Sequence, residues 1–177
     1  MELSELFAMG KNKAPQSLSL GEIPQSGYRS IMISPQWAEM AVAEACSQVQ
    51  KNALWRPAEN CHLWLWSPSS YLKDAMNLME RLGFAYLNSS VWVKGFAQSV
   101  REQHDLLLIG RRGRPFVGHH FSSRQSSVIY AERTDGIPDS FYDHIETLSN
   151  GPYLEVFSHS GRNGWHSSKS AVVEVSL

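Results

Sequence analysis

The sequence predicts an α/β domain built on one largely parallel sheet, and three observations lead there. Short runs rich in Ile, Leu, Val and Trp alternate with stretches of helical spacing. The run Leu106-Leu107-Leu108-Ile109 lacks polar alternation, as a strand covered on both faces does. With 177 residues, 42% hydrophobic and 19% charged, the chain has the size and composition of a single globular domain.

Taken in order, residues 1–10 suit a short helix, and 11–27 form a polar lead-in punctuated by Pro and Gly, so that the domain proper spans 28–177. Residues 28–34 read as a strand and 38–50, rich in Ala and Glu, as a helix. Residues 61–66 (CHLWLW) read as a strand. The next stretch is a helix, with Ser69 or Ser70 as N-cap, Gly83 just past its end, and Leu72, Met76, Met79 and Leu82 at helical spacing. Strands follow at 86–95 and 105–110, with a weaker one at 126–132. Asp135–Asp139 is a turn leading into a helix over 139–149, then an apolar strand over 153–158 and a last one at 171–175.

Composition narrows the function. Lys and Arg (16) nearly balance Asp and Glu (17), so bulk charge does not drive nucleic-acid binding and any basic surface is local. Cys46 and Cys61 have no ligand partners at metal-binding spacing and build no disulfide framework, which suits reduced thiols of a cytoplasmic protein. The seven histidines form no ligand set, so no metal is expected. Met1–Gly10 carries two Glu and no basic residue, unlike a signal peptide, and no apolar run approaches the roughly 20 residues that span a bilayer. Phosphate-binding glycine loops and a Gly-x-Ser-x-Gly elbow are absent from the sequence.

Ligands of open α/β sheets bind at the carboxyl ends of strands. Ser34–Trp37, Ser67-Pro68, Lys94-Gly95, Arg111-Arg112-Gly113-Arg114 and His159–Trp165 all fall at such ends. Each also has a plainer reading: a turn for Ser-Pro, packing for Trp37, a solvated loop for the arginines, and a hairpin or loop for 158–165.

Their order along the chain is more specific. YRSIMISPQW, CHLWLWSPSSYLKDAMNLMERLGFAYLNSSVWVKG, REQHDLLLIGRRGRP and IPDSFYDHIETLSNGPYLEVFSHSGRNGW together resemble the MT-A(70) family, from Tyr28 to Trp165. These are S-adenosylmethionine-dependent methyltransferases of the adenine 6-amino group in RNA or DNA. The resemblance implies a permuted, Rossmann-like methyltransferase sheet flanked by helices, with the amine-handling motif early and much of the cofactor segment late. It implies a catalytic loop at Ser34, Pro35, Gln36 and Trp37, and cofactor contacts at Ile33, Glu155, Phe157, His159 and Asn163. Nucleic acid, DNA or RNA, is expected at Lys94, Arg101, His104, Arg111, Arg112 and Arg114. A homo- or heterodimer with another methyltransferase-fold subunit is the expected assembly.

The departures from the family pattern fall on its chemistry. In the family's Asp-Pro-Pro-Trp, the Asp carboxylate and a backbone carbonyl accept the two amine hydrogens and turn the nitrogen lone pair toward the methyl group. Ser34 offers a neutral acceptor instead, and charged hydrogen bonds contribute roughly 1.5–3 kcal/mol against about 0.5–1.5 for neutral ones. Related cytosine amino-methyltransferases do carry Ser-Pro-Pro-aromatic. Gln36 in place of Pro frees φ and loosens carbonyls that must be preorganised. Ile137 stands where the family has a Lys, His159 where it has an Arg, and Lys169-Ser170-Ala171 near the position of a ribose contact. The sequence therefore predicts a methyltransferase-fold protein that binds nucleic acid, weak or inactive in catalysis and acting as a binding subunit or scaffold. The alternative is an active adenine or cytosine amino-methyltransferase that uses Ser34.

Overall fold

The structure, a computed structural model, describes residues 23–94, 103–116, 126–132, 136–158 and 161–168. The described residues form seven strands in one sheet: β1 (Tyr28–Ile33), β2 (Pro57–Pro68), β3 (Ala85–Val93), β4 (His104–Arg112), β5 (Val128–Tyr130), β6 (Tyr153–Val156) and β7 (Trp165–Ser168). Helices α1 (Val42–Lys51), α2 (Leu72–Arg81) and α3 (Asp139–Leu148) flank it. The strand order is β5-β3-β4-β2-β1-β6-β7. All neighbours run parallel except β4, which lies antiparallel to both β2 and β3. The fold is thus α/β with a mixed sheet, consistent with a Rossmann-like architecture.

Side-chain alternation sorts the core into two layers. Ile31 and Ile33 of β1, Leu63 and Leu65 of β2, and Leu108 of β4 face α1 and α2. Met32, Trp64, Trp66, Trp92 and Leu107 face α3, which brings Phe141, Tyr142 and Ile145. Each helix buries a narrow stripe: Ala45, Cys46 and Val49 on α1, and Ala75, Leu78 and Met79 on α2. Acidic residues in the first turns (Glu44, Asp74, Asp139) suit the helix dipoles. Gly110 lets α2 close on the sheet, because a Cβ there would stand 2.8 Å from Met79 Sδ.

The end of α2 follows the sequence. Gly83 takes φ 82°, its N–H donates to Glu80 and that of Phe84 to Met79, which closes the helix with two bonds. Its start differs: Ser69–Tyr71 forms a 3-10 turn, and no side chain caps the helix. The helix expected from residue 38 begins at Val42, because Trp37 N–H bonds Pro35 O and Glu39 N–H bonds Gln36 O, folding 35–39 into turns. β2 extends on both sides of the expected 61–66: β4 pairs with it as far as Pro68, and Tyr28 of β1 pairs with Pro57. β6 ends at Val156 because Phe157 turns the chain with φ 63°. Trp165, the last residue of the expected hairpin or loop, instead opens an edge strand, Trp165–Ser168, parallel to β6. Ile23, within the expected lead-in, already packs in the core. The expected helix at 1–10 and strand at 171–175 lie outside the described residues.

Candidate functional site

The parallel strands deliver their carboxyl ends to one edge of the sheet, and β4 delivers its beginning there. At this edge lies a cleft of about 610 Å³, within the usual range for ligand sites. Ser34, Pro35, Gln36 and Trp37 form one wall, with Ser67 and Pro68 beside them. Trp66 and Trp92 line it from the α3 side of the sheet, Lys94 from just past the end of β3, Asp105 from β4, and Gly136 and Ile137 from the approach to α3.

The aromatic groups are fixed in place. Trp37 donates its indole N–H to Trp66 O at 2.8 Å and stacks on Tyr71, centroids 6.1 Å apart. Trp66 and Trp92 meet edge to face at 5.7 Å and both rest on Phe141. Trp92 Nε1 is held by Ala131 O at 2.9 Å. These rings are preorganised, so a flat ligand entering the cleft meets surfaces that need little rearrangement.

The polar groups are sparse. Ser34 is 9% exposed, and its Oγ is the only buried side-chain N or O among the described residues without a hydrogen-bond partner. A native buried hydroxyl left this way costs about 1–3 kcal/mol. Lys94 Nζ pairs with Asp105 Oδ2 at 2.6 Å and lies 5.5 Å from the Trp92 ring centre, so its charge is compensated within the cleft wall. Gln36 is exposed, yet the turn around it is held by the two backbone bonds that engage Pro35 O and Gln36 O. Hydrogen bonding thus supplies part of the rigidity that proline would give.

The residues expected to hold the cofactor do not converge on this cleft. Ile33 is buried on the α1–α2 face. Glu155 is 1% exposed on the opposite face, accepting bonds from Tyr142 Oη (3.0 Å) and Ser158 Oγ (2.9 Å). Burial, and after it the Glu155 carboxylate, push the Tyr142 phenol far above its usual range. Phe157 packs its ring into the core, and Asn163 is exposed in the turn before β7. Arg162 of that turn is bound by Asp139, Asp143 and Glu146, fastening the turn to α3. His159 lies outside the described residues. The described donors therefore do not fit S-adenosylmethionine: Glu155 is spent within the protein, and Ile137 offers no charge to a carboxylate.

The expected nucleic-acid residues divide between two places. Lys94 and His104 lie at the cleft edge, and Arg101 lies outside the described residues. Arg111 and Arg112 pair with His62 and Cys61 near the start of β2, so they and Arg114 sit at the opposite edge. Placing them with the other strand ends assumed a parallel β4, and the reversal of that strand overturns it. Sequence reasoning also missed Asp105 and Tyr71 as cleft residues. Asp105 directly precedes the apolar run Leu106–Ile109, a signal that a charge there needs a partner.

Among the described residues, no helix is long and apolar enough to cross a membrane, and no His, Cys, Asp and Glu group could hold a metal. In comparisons with known proteins, no family model and no curated protein matches the chain.

Proposed function

We propose that the protein is a nucleic-acid-binding member of the MT-A(70) type, catalytically weak or inactive, that acts as a binding subunit or scaffold. The observation that carries this reading is the buried, unpartnered hydroxyl of Ser34 in a cleft walled by Trp37, Trp66 and Trp92. Such a cleft suits a flat, unstacked base carrying an exocyclic amine: the rings bind its faces, and a rotation of the Ser34 side chain toward the cleft lets Oγ accept one amine hydrogen. The neighbouring, parallel ends of β1 and β6 support the permuted arrangement, since they bring Ser34 beside Phe157.

Apart from the exposed Glu39 in its lining, the cleft has no uncompensated charge among the described residues, and none at the acceptor position. Ser34 accepts without charge, Ile137 is apolar, and the Lys94 ammonium is neutralised by Asp105. A second subunit of the same fold, with an intact acidic motif, would then supply methyl transfer.

Calorimetric titration separates the readings. The binding reading expects heat from a short adenine-containing strand, reduced at least tenfold in affinity by Trp92→Ala, and none from S-adenosylmethionine. Micromolar cofactor binding would favour the second reading, an active amino-methyltransferase using Ser34. The lone pairs left open on Ser34 Oγ are the observation on its side.

A further inference from the structure

The far edge of the sheet, where β1 and β2 begin and β4 ends, gathers five exposed arginines. Arg29 is in β1, Arg56 precedes β2, Arg111 and Arg112 end β4, and Arg114 follows it. Among the described residues none of the five takes part in an ion pair. In a chain of net charge −1, five guanidiniums beside the single exposed carboxylate of Glu59 make a local positive field.

A pocket of about 220 Å³ lies within it, lined by Arg29, Asn60, Arg114, Phe116, Ser149 and Asn150. Its arginine side is preorganised. Gly113 takes φ 63°, and a Cβ there would collide with Asn60 and the Glu59 carbonyl, so the turn closes tightly over Asn60. Asn60 Oδ1 accepts the backbone N–H of Arg114 at 2.7 Å, which orients the Asn60 amide and its two N–H donors. Ser149 and Asn150 stand at the end of α3, whose dipole contributes about half a negative charge. Two guanidiniums outweigh it, and the pocket remains an anion site.

We propose that this pocket is a second site that takes the sugar–phosphate backbone of a nucleic-acid strand, held through a phosphate between Arg29 and Arg114. Guanidinium forks match phosphate oxygens two by two, and the volume admits a phosphate with its sugar rather than a complete nucleotide with its base. Phe116, 52% exposed, borders the pocket as an apolar flank for the neighbouring sugar or base. The inference deepens the nucleic-acid part of the function proposed above and does not depend on what the cleft binds.

The test is fluorescence anisotropy with a labelled single-stranded DNA twelve-mer over a range of salt, using the whole chain. Arg29→Ala/Arg114→Ala is expected to weaken binding at least tenfold and to flatten the slope of log affinity against log salt by about 0.7–1.4, the release from one or two phosphates. Arg29→Lys/Arg114→Lys is expected to restore the salt slope but only part of the affinity, since lysine keeps the charge and loses the fork. Trp92→Ala, in the cleft, is expected to leave the salt slope as in the wild type, so failure of the cleft reading and failure of this site are separable. Wild-type affinity and slope in the double alanine variant, or no binding by the wild type at 50 mM salt, would overturn the proposal. So would displacement of the strand from the Trp92→Ala variant by adenosine monophosphate at equal nucleotide concentration, which would make the pocket a mononucleotide site.

Discussion

Ser34 donates its backbone N–H to the carbonyl of Val156 at 3.3 Å. The bond carries the β1–β6 pairing one residue beyond the end of β1, and it locks the first residue of the Ser-Pro-Gln-Trp turn beside Phe157. Phe157 holds φ 63°, a conformation that costs a bulky residue about 1–3 kcal/mol. Burial of its ring in the core offsets that strain. The chain thus bends sharply out of the sheet at the point where the polar turn begins, and the cleft opens beside that bend.

Ser34→Ala is expected to stabilise the protein. Removing a buried hydroxyl that has no partner recovers about 1 kcal/mol of desolvation, which raises Tm by about 2–4 °C in a domain of this size. Thermal unfolding followed by circular dichroism measures it. A lower Tm would mean that the hydroxyl is satisfied inside the fold, not held for a ligand.

Asp105→Ala is expected to cost roughly 3 kcal/mol, because it strands the Lys94 ammonium, 10% exposed, against Trp92. The double variant Lys94→Met/Asp105→Leu should return to within about 1 kcal/mol of wild type, since breaking a sheltered ion pair costs more than replacing it. Urea midpoints at constant m-value decide the matter, and a double variant as unstable as the single one would refute it.

Acid should weaken the fold through His62. Burial lowers its pKa from 6.5 to about 4, and burial likewise lowers that of His144. The unfolded chain binds the proton more readily, so the stability His62 contributes is intact above pH 6.5 and is lost as pH falls toward 4. From pH 7 to pH 5 the loss is about 2 kcal/mol for this one group. His62→Gln removes it, so the difference in urea midpoint between pH 7 and pH 5 should shrink by that amount relative to wild type.

Methyl transfer to adenine-containing DNA or RNA is expected to be absent or barely measurable in the isolated protein. Ser34→Asp/Gln36→Pro should not restore it, and adding Ile137→Lys should give the first gain, because deficits of roughly 1–3 kcal/mol at separate points multiply in rate. Labelled methyl incorporation measures each variant. Robust turnover by the wild type would make Ser34 a working substitute for the carboxylate.

Much of the cleft could be read in advance because local rules determine it. A strand running into Ser34-Pro35, a helix closed by Gly83 and Trp-Ser-Pro at residues 66–68 all announce themselves within a few positions. The direction of β4 does not. Leu106–Ile109 reveals burial on both faces, but burial is the same whichever way a strand points, and direction is set by the partners that β4 lies between. The placement of Arg111, Arg112 and Arg114 therefore failed, although the strand itself was expected. β7 was missed for a different reason. Its residues, Trp165-His166-Ser167-Ser168, carry little strand character, and only pairing with β6 makes them one. Tyr71 escaped notice because its role comes from stacking on Trp37, distant in sequence.

The reversed strand makes β4 a ruler. Its nine residues set Asp105 and Arg112 about 24 Å apart at ~3.4 Å per residue. A deletion or insertion of one residue within it would turn one end over relative to the other, so that Asp105 could not keep its lysine while the terminal arginines kept their present faces. Tinkering by length is thus closed to this strand, and spacing between the two edges can change only through the bends and turns that lie beyond its ends.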